Sequence, residues 1–188
     1  MSRTALGSES PRKPVESRAC NNNIGCLAFA LGIKEEKIPG QQEPERINPQ
    51  TIRNYLEVMS KAVFKAGISW RVVESKWPGT REAFGNFDVN AVADLSPRDI
   101  DGLVQDTRVI RNRRKLEAVV SNANRMLELE GKPGSFRNCL LSHGSFVATV
   151  ADLRKVFKFL GDIGTYFFLF AVGEEVPSHE EWVASRQR

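Results

Sequence analysis

From residue 48 onward, apolar residues recur every three or four positions and never settle into alternation. Ile52, Tyr55, Leu56, Met59 and Val63 open the series. That spacing lays one apolar stripe along one face of a helix. Leu116, Val119, Val120, Ala123 and Leu127 repeat it, as do Val150, Leu153, Val156, Phe157 and Leu160. A half-buried strand needs period-two alternation between turn residues, and no stretch sustains it. The expectation is an all-α chain of eight or nine helices.

The punctuation agrees. Asn48-Pro49 offers an N-cap followed by a proline in the first helical position, and Gly67 is a natural stop. Ser69 can cap a short helix carrying Trp70 and Val73, which Pro78 should end. Asp88 and Ser96-Pro97 start two more, the second with Ile100, Leu103 and Val104 inward. Phe136 to Leu141 reads as a short helix, and Thr149 is the expected cap of the next. Ser178 to Glu181, "SHEE", has the capping-box pattern for a last one.

A chain of 188 residues suffices for one packed domain. Residues 1–45 read as a disordered or weakly ordered extension: the first twenty are rich in Ser, Arg and Pro, "IGCLAFALGI" is apolar enough to pack, and the linker-like "PGQQEPE" follows; residues 46–188 read as the folded domain. The longest apolar run, Tyr166 to Val172, is too short to cross a bilayer, so no membrane partner is expected. No secretory signal pattern is visible, which makes an intracellular setting (cytoplasm, nucleoid or nucleus) and a monomer the default expectations. Three cysteines at irregular spacing do not form a disulfide framework.

Charge is concentrated in one place. "RVIRNRRK" puts five positive charges into eight residues with no acid among them. Arg111, Arg113, Arg114 and Lys115 are therefore candidate phosphate contacts. A solvated helix start is the alternative. A second candidate is "FLGDIGTYFFLF", two helical stretches joined by Gly161-Asp162-Ile163-Gly164. Helix, Gly-x-x-Gly turn, helix describes a helix-hairpin-helix element, in which Gly161 and Gly164 admit a close DNA phosphate to helix N-terminal amides. An ordinary corner between two helices fits the same residues.

The segments "AGISW" (66–70), "FGNFD" (84–88), "LVQDTRVIRNRRKLEAVVSNA" (103–123) and "FKFLGDIGTYFFLFAVG" (157–173) together resemble the 3-methyladenine DNA glycosylase I family, of the helix-hairpin-helix glycosylase superfamily. The resemblance implies an all-α helix-hairpin-helix glycosylase fold. It implies a monofunctional DNA N-glycosylase that flips alkylated bases of the 3-methyladenine type out of damaged double-stranded DNA for base excision repair. No cofactor is expected. On that resemblance the turn Gly67-Ile68 presses into the DNA as a wedge and Trp70 lines the base pocket, with Tyr166 a further pocket candidate.

The departures bear on chemistry. The family places a Glu eight residues before the pocket Trp, and here that position is Ala62. Lys61 and Lys65 are the nearby polar residues, and their charge suits a cationic base poorly. The family's zinc clasp needs Cys and His ligands near the C-terminus, where this chain has only His179. Cys20, Cys26, Cys139 and His143 follow no recognised zinc spacing, so no metal is expected. Superfamily relatives use an Asp beyond the hairpin as catalytic carboxylate. Glu180 and Glu181 are the candidates there, although Glu181 also suits the capping box. Thr165 stands where lyase-active relatives carry a Lys, which argues against Schiff-base chemistry. Ala62 is also what favours the alternative reading, a catalytically silent helix-hairpin-helix DNA-binding protein.

Overall fold

In the computed structural model the described residues are 45–131 and 136–185. The reading of residues 1–44, including Cys20 and Cys26, lies outside them.

Helix α1 (Ile52–Lys65) starts later than Asn48-Pro49 suggests. The reason is local: Asn54 Oδ1 accepts from the backbone N–H groups of Gln50 and Thr51, both at 3.2 Å. Thr51 thereby takes the cap position, and residues 45–50 run on without regular structure. The N–H of Ile47 donates to the Ala171 carbonyl (2.7 Å) and ties that segment to a distant helix. α1 buries Tyr55, Leu56, Met59, Val63 and Phe64. It ends as expected, with Gly67 in the left-handed region (φ 80°), a conformation that costs a Cβ-bearing residue about 1 kcal/mol.

Helix α2 (Trp70–Ala83) is capped by Ser69, whose Oγ accepts from Val72 N–H. Pro78 does not end it, contrary to the sequence expectation. Packing overrides the local preference: Val73, Trp77 and Thr80 are buried on either side of the proline. Thr80 Oγ1 donates to the Lys76 carbonyl at 2.9 Å, and Trp77 Nε1 donates to Glu57 of α1 at 3.2 Å. The Trp77 ring stacks on Phe87 with centroids 5.5 Å apart, and Phe87 stacks on Phe84 at 5.4 Å.

Short helices α3 (Val89–Ala93) and α4 (Pro97–Gln105) follow, capped by Asp88 and Ser96 as read from the sequence. α5 (Arg113–Glu130) is the longest and packs on α1, α3 and α4. Then come α6 (Phe136–Leu141), α7 (Phe146–Val156), α8 (Asp162–Ala171) and α9 (His179–Ser185). α7 begins at Ser145, not Thr149: Ser145 Oγ accepts from Ala148 N–H (3.3 Å), while Thr149 Oγ1 donates back to the Ser145 carbonyl (2.9 Å). The nine α-helices, with no strand among the described residues, make the all-α expectation correct. None is long and apolar enough to cross a membrane.

α1 runs through the middle, against α2, α5 and α8. Leu56, Met59, Val63 and Phe64 are fully enclosed with Leu116, Val119, Met126 and Phe168. Each such side chain contributes about 1.5–3 kcal/mol of burial free energy. One polar contact fixes the hairpin to this core. Asn122, buried in α5, donates from Nδ2 to the Lys158 carbonyl (3.1 Å) and accepts the Lys158 N–H on Oδ1 (2.8 Å).

Candidate functional site

The end of α1 and the start of α8 are far apart in sequence, but α1 and α8 pack side by side. Between the turn 66–68 and the hairpin 161–164 lies a cavity of about 430 Å³. Ala62, Lys65, Gly67, Ile68 and Trp70 line one side, and Gly161 to Gly164 with Phe167 line the other. It has the volume of a small-molecule site and is walled mainly by apolar groups. The wedge and pocket candidates Gly67, Ile68 and Trp70 thus meet the hairpin candidates Gly161 and Gly164 at one place.

Ile68 is half-buried and rests against the core, so it is less bare than the sequence suggested. Across the cavity Ile163, in the first turn of α8, is 53% exposed. The space in front of Gly161, the N-cap of α8, is open. Asp162 in the first turn of α8 pairs with Arg154 at 2.6 Å.

Charge enters the cavity through Lys65. Its amine sits over the Trp70 ring and pairs with Glu74 of α2 at 3.2 Å. Glu74 also holds Lys61 at 2.8 Å. Burial lowers the Lys65 pKa to about 7, outweighing the stabilising hydrogen bond and charge of Glu74. For Glu74 burial works against ionisation, but Lys61 and Lys65 overcome it and hold the carboxyl below its usual value.

Two sequence assignments are corrected by the structure. Lys115 is no phosphate contact: it is 5% exposed, and its ammonium donates to the carbonyls of Val63 (2.6 Å), Phe64 (3.2 Å) and Ala66. These are orphan acceptors at the C-terminus of α1, where a cation also complements the helix dipole. Desolvation lowers its pKa. Tyr166 lines no part of the cavity. Its ring stacks on Trp182 of α9 (4.4 Å), and its hydroxyl donates to the Pro177 carbonyl (3.1 Å).

The remaining candidates divide. Arg111, Arg113 and Arg114 are all exposed. Arg113 is engaged by Asp101 and by Glu117 (3.3 Å). Arg114 borders a shallow depression with Lys158 and Phe159, a residue 47% exposed with a left-handed backbone (φ 56°). Glu181 accepts from the backbone N–H (3.1 Å) and hydroxyl (3.0 Å) of Ser178, completing the capping box. Glu180 is exposed, and neither glutamate lines the cavity. His143 Nε2 contacts Asp152 (3.0 Å), and Cys139 is a free thiol. Among the described residues no three metal-binding side chains cluster.

Sequence reasoning missed Phe167, Ile163 and Asp162 as cavity residues. The spacing 163, 164, 167 on one helix face was the available signal.

The described domain is all-α, and its Gly67-Ile68 turn faces the first turn of α8 across the cavity; the sequence placed Gly164 in the connecting turn with Gly161, but the structure puts Gly161 at the N-cap and Gly164 inside the helix. Sequence comparison is narrower: the profile of the family described as Methyladenine glycosylase matches residues 48–156. The chain belongs to the methyladenine glycosylase family. It is 34% identical over 130 residues to the DNA-3-methyladenine glycosylase of Haemophilus influenzae, covering 58% of this chain and 70% of the relative. Identity to DNA-3-methyladenine glycosylase 1 of Escherichia coli is 31% over 130 residues, with the same coverage. A solved structure of 3-methyladenine DNA glycosylase I from Staphylococcus aureus superposes with a TM-score of 0.62 at 26% identity, over 69% of this chain and 80% of that one.

Proposed function

We propose that this protein is a DNA N-glycosylase that releases alkylated bases of the 3-methyladenine type from damaged duplex DNA. The observation that carries the reading is the cavity between the Gly67-Ile68 turn and the hairpin, with Trp70 in its wall. A base extruded from the stack needs such a pocket with an aromatic side chain in its wall. N-alkylation makes the base cationic and a good leaving group, so cleavage asks less of a general acid than release of a normal base. Water attacks the sugar C1′ as the C1′–N bond breaks; the alkylated base leaves neutral, and the proton lost by the water passes to solvent. The chain's part is to hold the base and sugar in place and to exclude normal bases.

Arg111 and Arg114, with the open N-terminus of α8 at Gly161, are the groups we assign to phosphate contact. Ile68 and Ile163 both line the cavity, and we assign them to the gap left by a flipped nucleotide. Position 62 supplies no carboxylate, Glu180 and Glu181 are not among the cavity residues, and Asp162, which does line the cavity, is paired with Arg154 at 2.6 Å, so no general base is assigned.

The test is to incubate the full-length protein with methylated duplex DNA and analyse released free bases by chromatography. Release of 3-methyladenine supports the reading. Tight binding to duplex with no base released from any methylated substrate would instead identify a catalytically silent DNA-binding protein.

A further inference from the structure

The face of Trp70 is not vacant. Lys65 lies on it, with a side chain only 12% exposed, and both residues line the cavity. An incoming base that stacks on this ring meets the Lys65 amine. It must displace that amine or bond to it. Position 62, on the same wall, adds only a methyl group, so α1 offers no negative charge to balance a cationic base.

We infer that Lys65 is the specificity-determining residue of this pocket, admitting or rejecting a base according to the base's charge. When protonated, Lys65 repels a permanently cationic base and donates a hydrogen bond to a neutral one that presents a lone pair. When unprotonated, it no longer repels a cationic base, and the Trp70 ring quadrupole attracts that cation. This rests on the base-pocket reading above and names the property of the base that the pocket senses.

The charged groups around Lys65 make it a usable switch. From α1 itself comes Lys61, a like charge; from α2 comes Glu74, which both lysines share. From α8 comes Asp162, committed to Arg154 of α7. From α5 comes Lys115, whose ammonium is held on the carbonyl of Ala66, the next residue along. Burial outweighs the single carboxylate, so the amine titrates at about 7. Charged and neutral pockets therefore both exist near neutrality.

The experiment uses the full chain, Lys65→Gln and Lys65→Arg, with folding of each checked by circular dichroism. Binding of two small probes is measured calorimetrically at pH 6 and pH 8: 3,9-dimethyladeninium, a permanent cation, and 9-methylhypoxanthine, which is neutral throughout. In parallel, 3-methyladenine release from methylated duplex is measured at both pH values. With a pKa near 7 the unprotonated fraction rises about tenfold between them, and cation affinity should rise by about that factor. Lys65→Gln should bind the cation equally at both pH values, and Lys65→Arg should reject it at both. The neutral probe should show no such rise.

Identical pH profiles in the natural protein and Lys65→Gln would overturn the inference. So would failure of either probe to bind the folded natural protein. If no base is released at any pH while the cation-binding contrast persists, the glycosylase reading falls and the role of Lys65 stands.

Discussion

Replacing Lys115 by Met separates a structural strut from a DNA contact. Methionine keeps the length of the side chain and fills the same space, so the cavity penalty is small. What is lost is the ammonium that satisfies the carbonyls of Val63 and Phe64 inside the protein, and that of Ala66 at the turn. Hydrogen bonds to a charged group are worth about 1.5–3 kcal/mol each. The Ala66 carbonyl lies on an exposed residue and can turn to water, which leaves two bonds to count. Releasing the desolvated ammonium offsets part of that sum, and a net loss of about 2–4 kcal/mol remains. For a chain of this size the melting temperature should fall by about 5–15 °C. The assay pairs a thermal melt by circular dichroism with binding to duplex DNA across a salt series. If Lys115 faced a phosphate, the variant would melt within a degree or two of the natural protein and its log–log salt slope would flatten by about one unit. That outcome would refute the strut.

Three further expectations are as direct. Neutralising Arg111 and Arg114 together should flatten the salt dependence of duplex binding by about two units, whereas neutralising Arg113, already engaged by Asp101 and Glu117, should change it by less than one; equal effects from all three would show that the ion pairs open on DNA. Ile163→Ala should cost under about 0.5 kcal/mol of stability and Ile68→Ala about 1–2 kcal/mol, since only the second rests on the core, while both weaken binding to an abasic-site duplex more than to intact duplex; melts and the two titrations together check this. Lys65→Met should melt above the natural protein, most at pH 6, because the cost of burying the ammonium is fully present below about 7 and disappears as pH rises toward the unfolded value of 10.5; a gap that stays constant from pH 6 to 10 would contradict the buried amine.

Legibility followed the range of the interaction. The caps at Ser69, Asp88, Ser96 and Ser178 were readable because their bonds span three residues of chain. Pro78 and Thr149 misled because local preference was overruled, by burial of Trp77 and Thr80 in one case and by a better-placed serine in the other. Lys115 was grouped with the arginines on charge alone. Helical spacing already set it apart, for positions 115, 119, 122 and 126 lie on one face of α5 and all four are buried. The same spacing would have exposed Asn122. Tyr166 was not readable, since α8 is apolar all round and its faces look alike in sequence. The cavity itself depends on two turns meeting across the core, and neither turn names its partner. Its charge was half visible: Lys65 stood out beside Ala62, but its seat on Trp70 needs the fold.

The paired bonds between the Asn122 amide and the backbone of Lys158 carry a consequence for how this chain can change in length. They index the hairpin directly against α5, by matching one donor and one acceptor on each side. α7 packs on α8 as well, but the amide pair fixes the alignment at Lys158 directly. Residues can therefore be inserted in the connection between α6 and α7, where Ser142 and Gly144 are exposed, without moving the hairpin, whereas α6 itself is pinned by the buried Phe136 and Leu140. The amide itself has no substitute: aspartate loses the donor, and glutamine adds a methylene that carries the pair out of reach. Length variation and strict side-chain identity are thus expected to sit side by side in this part of the chain.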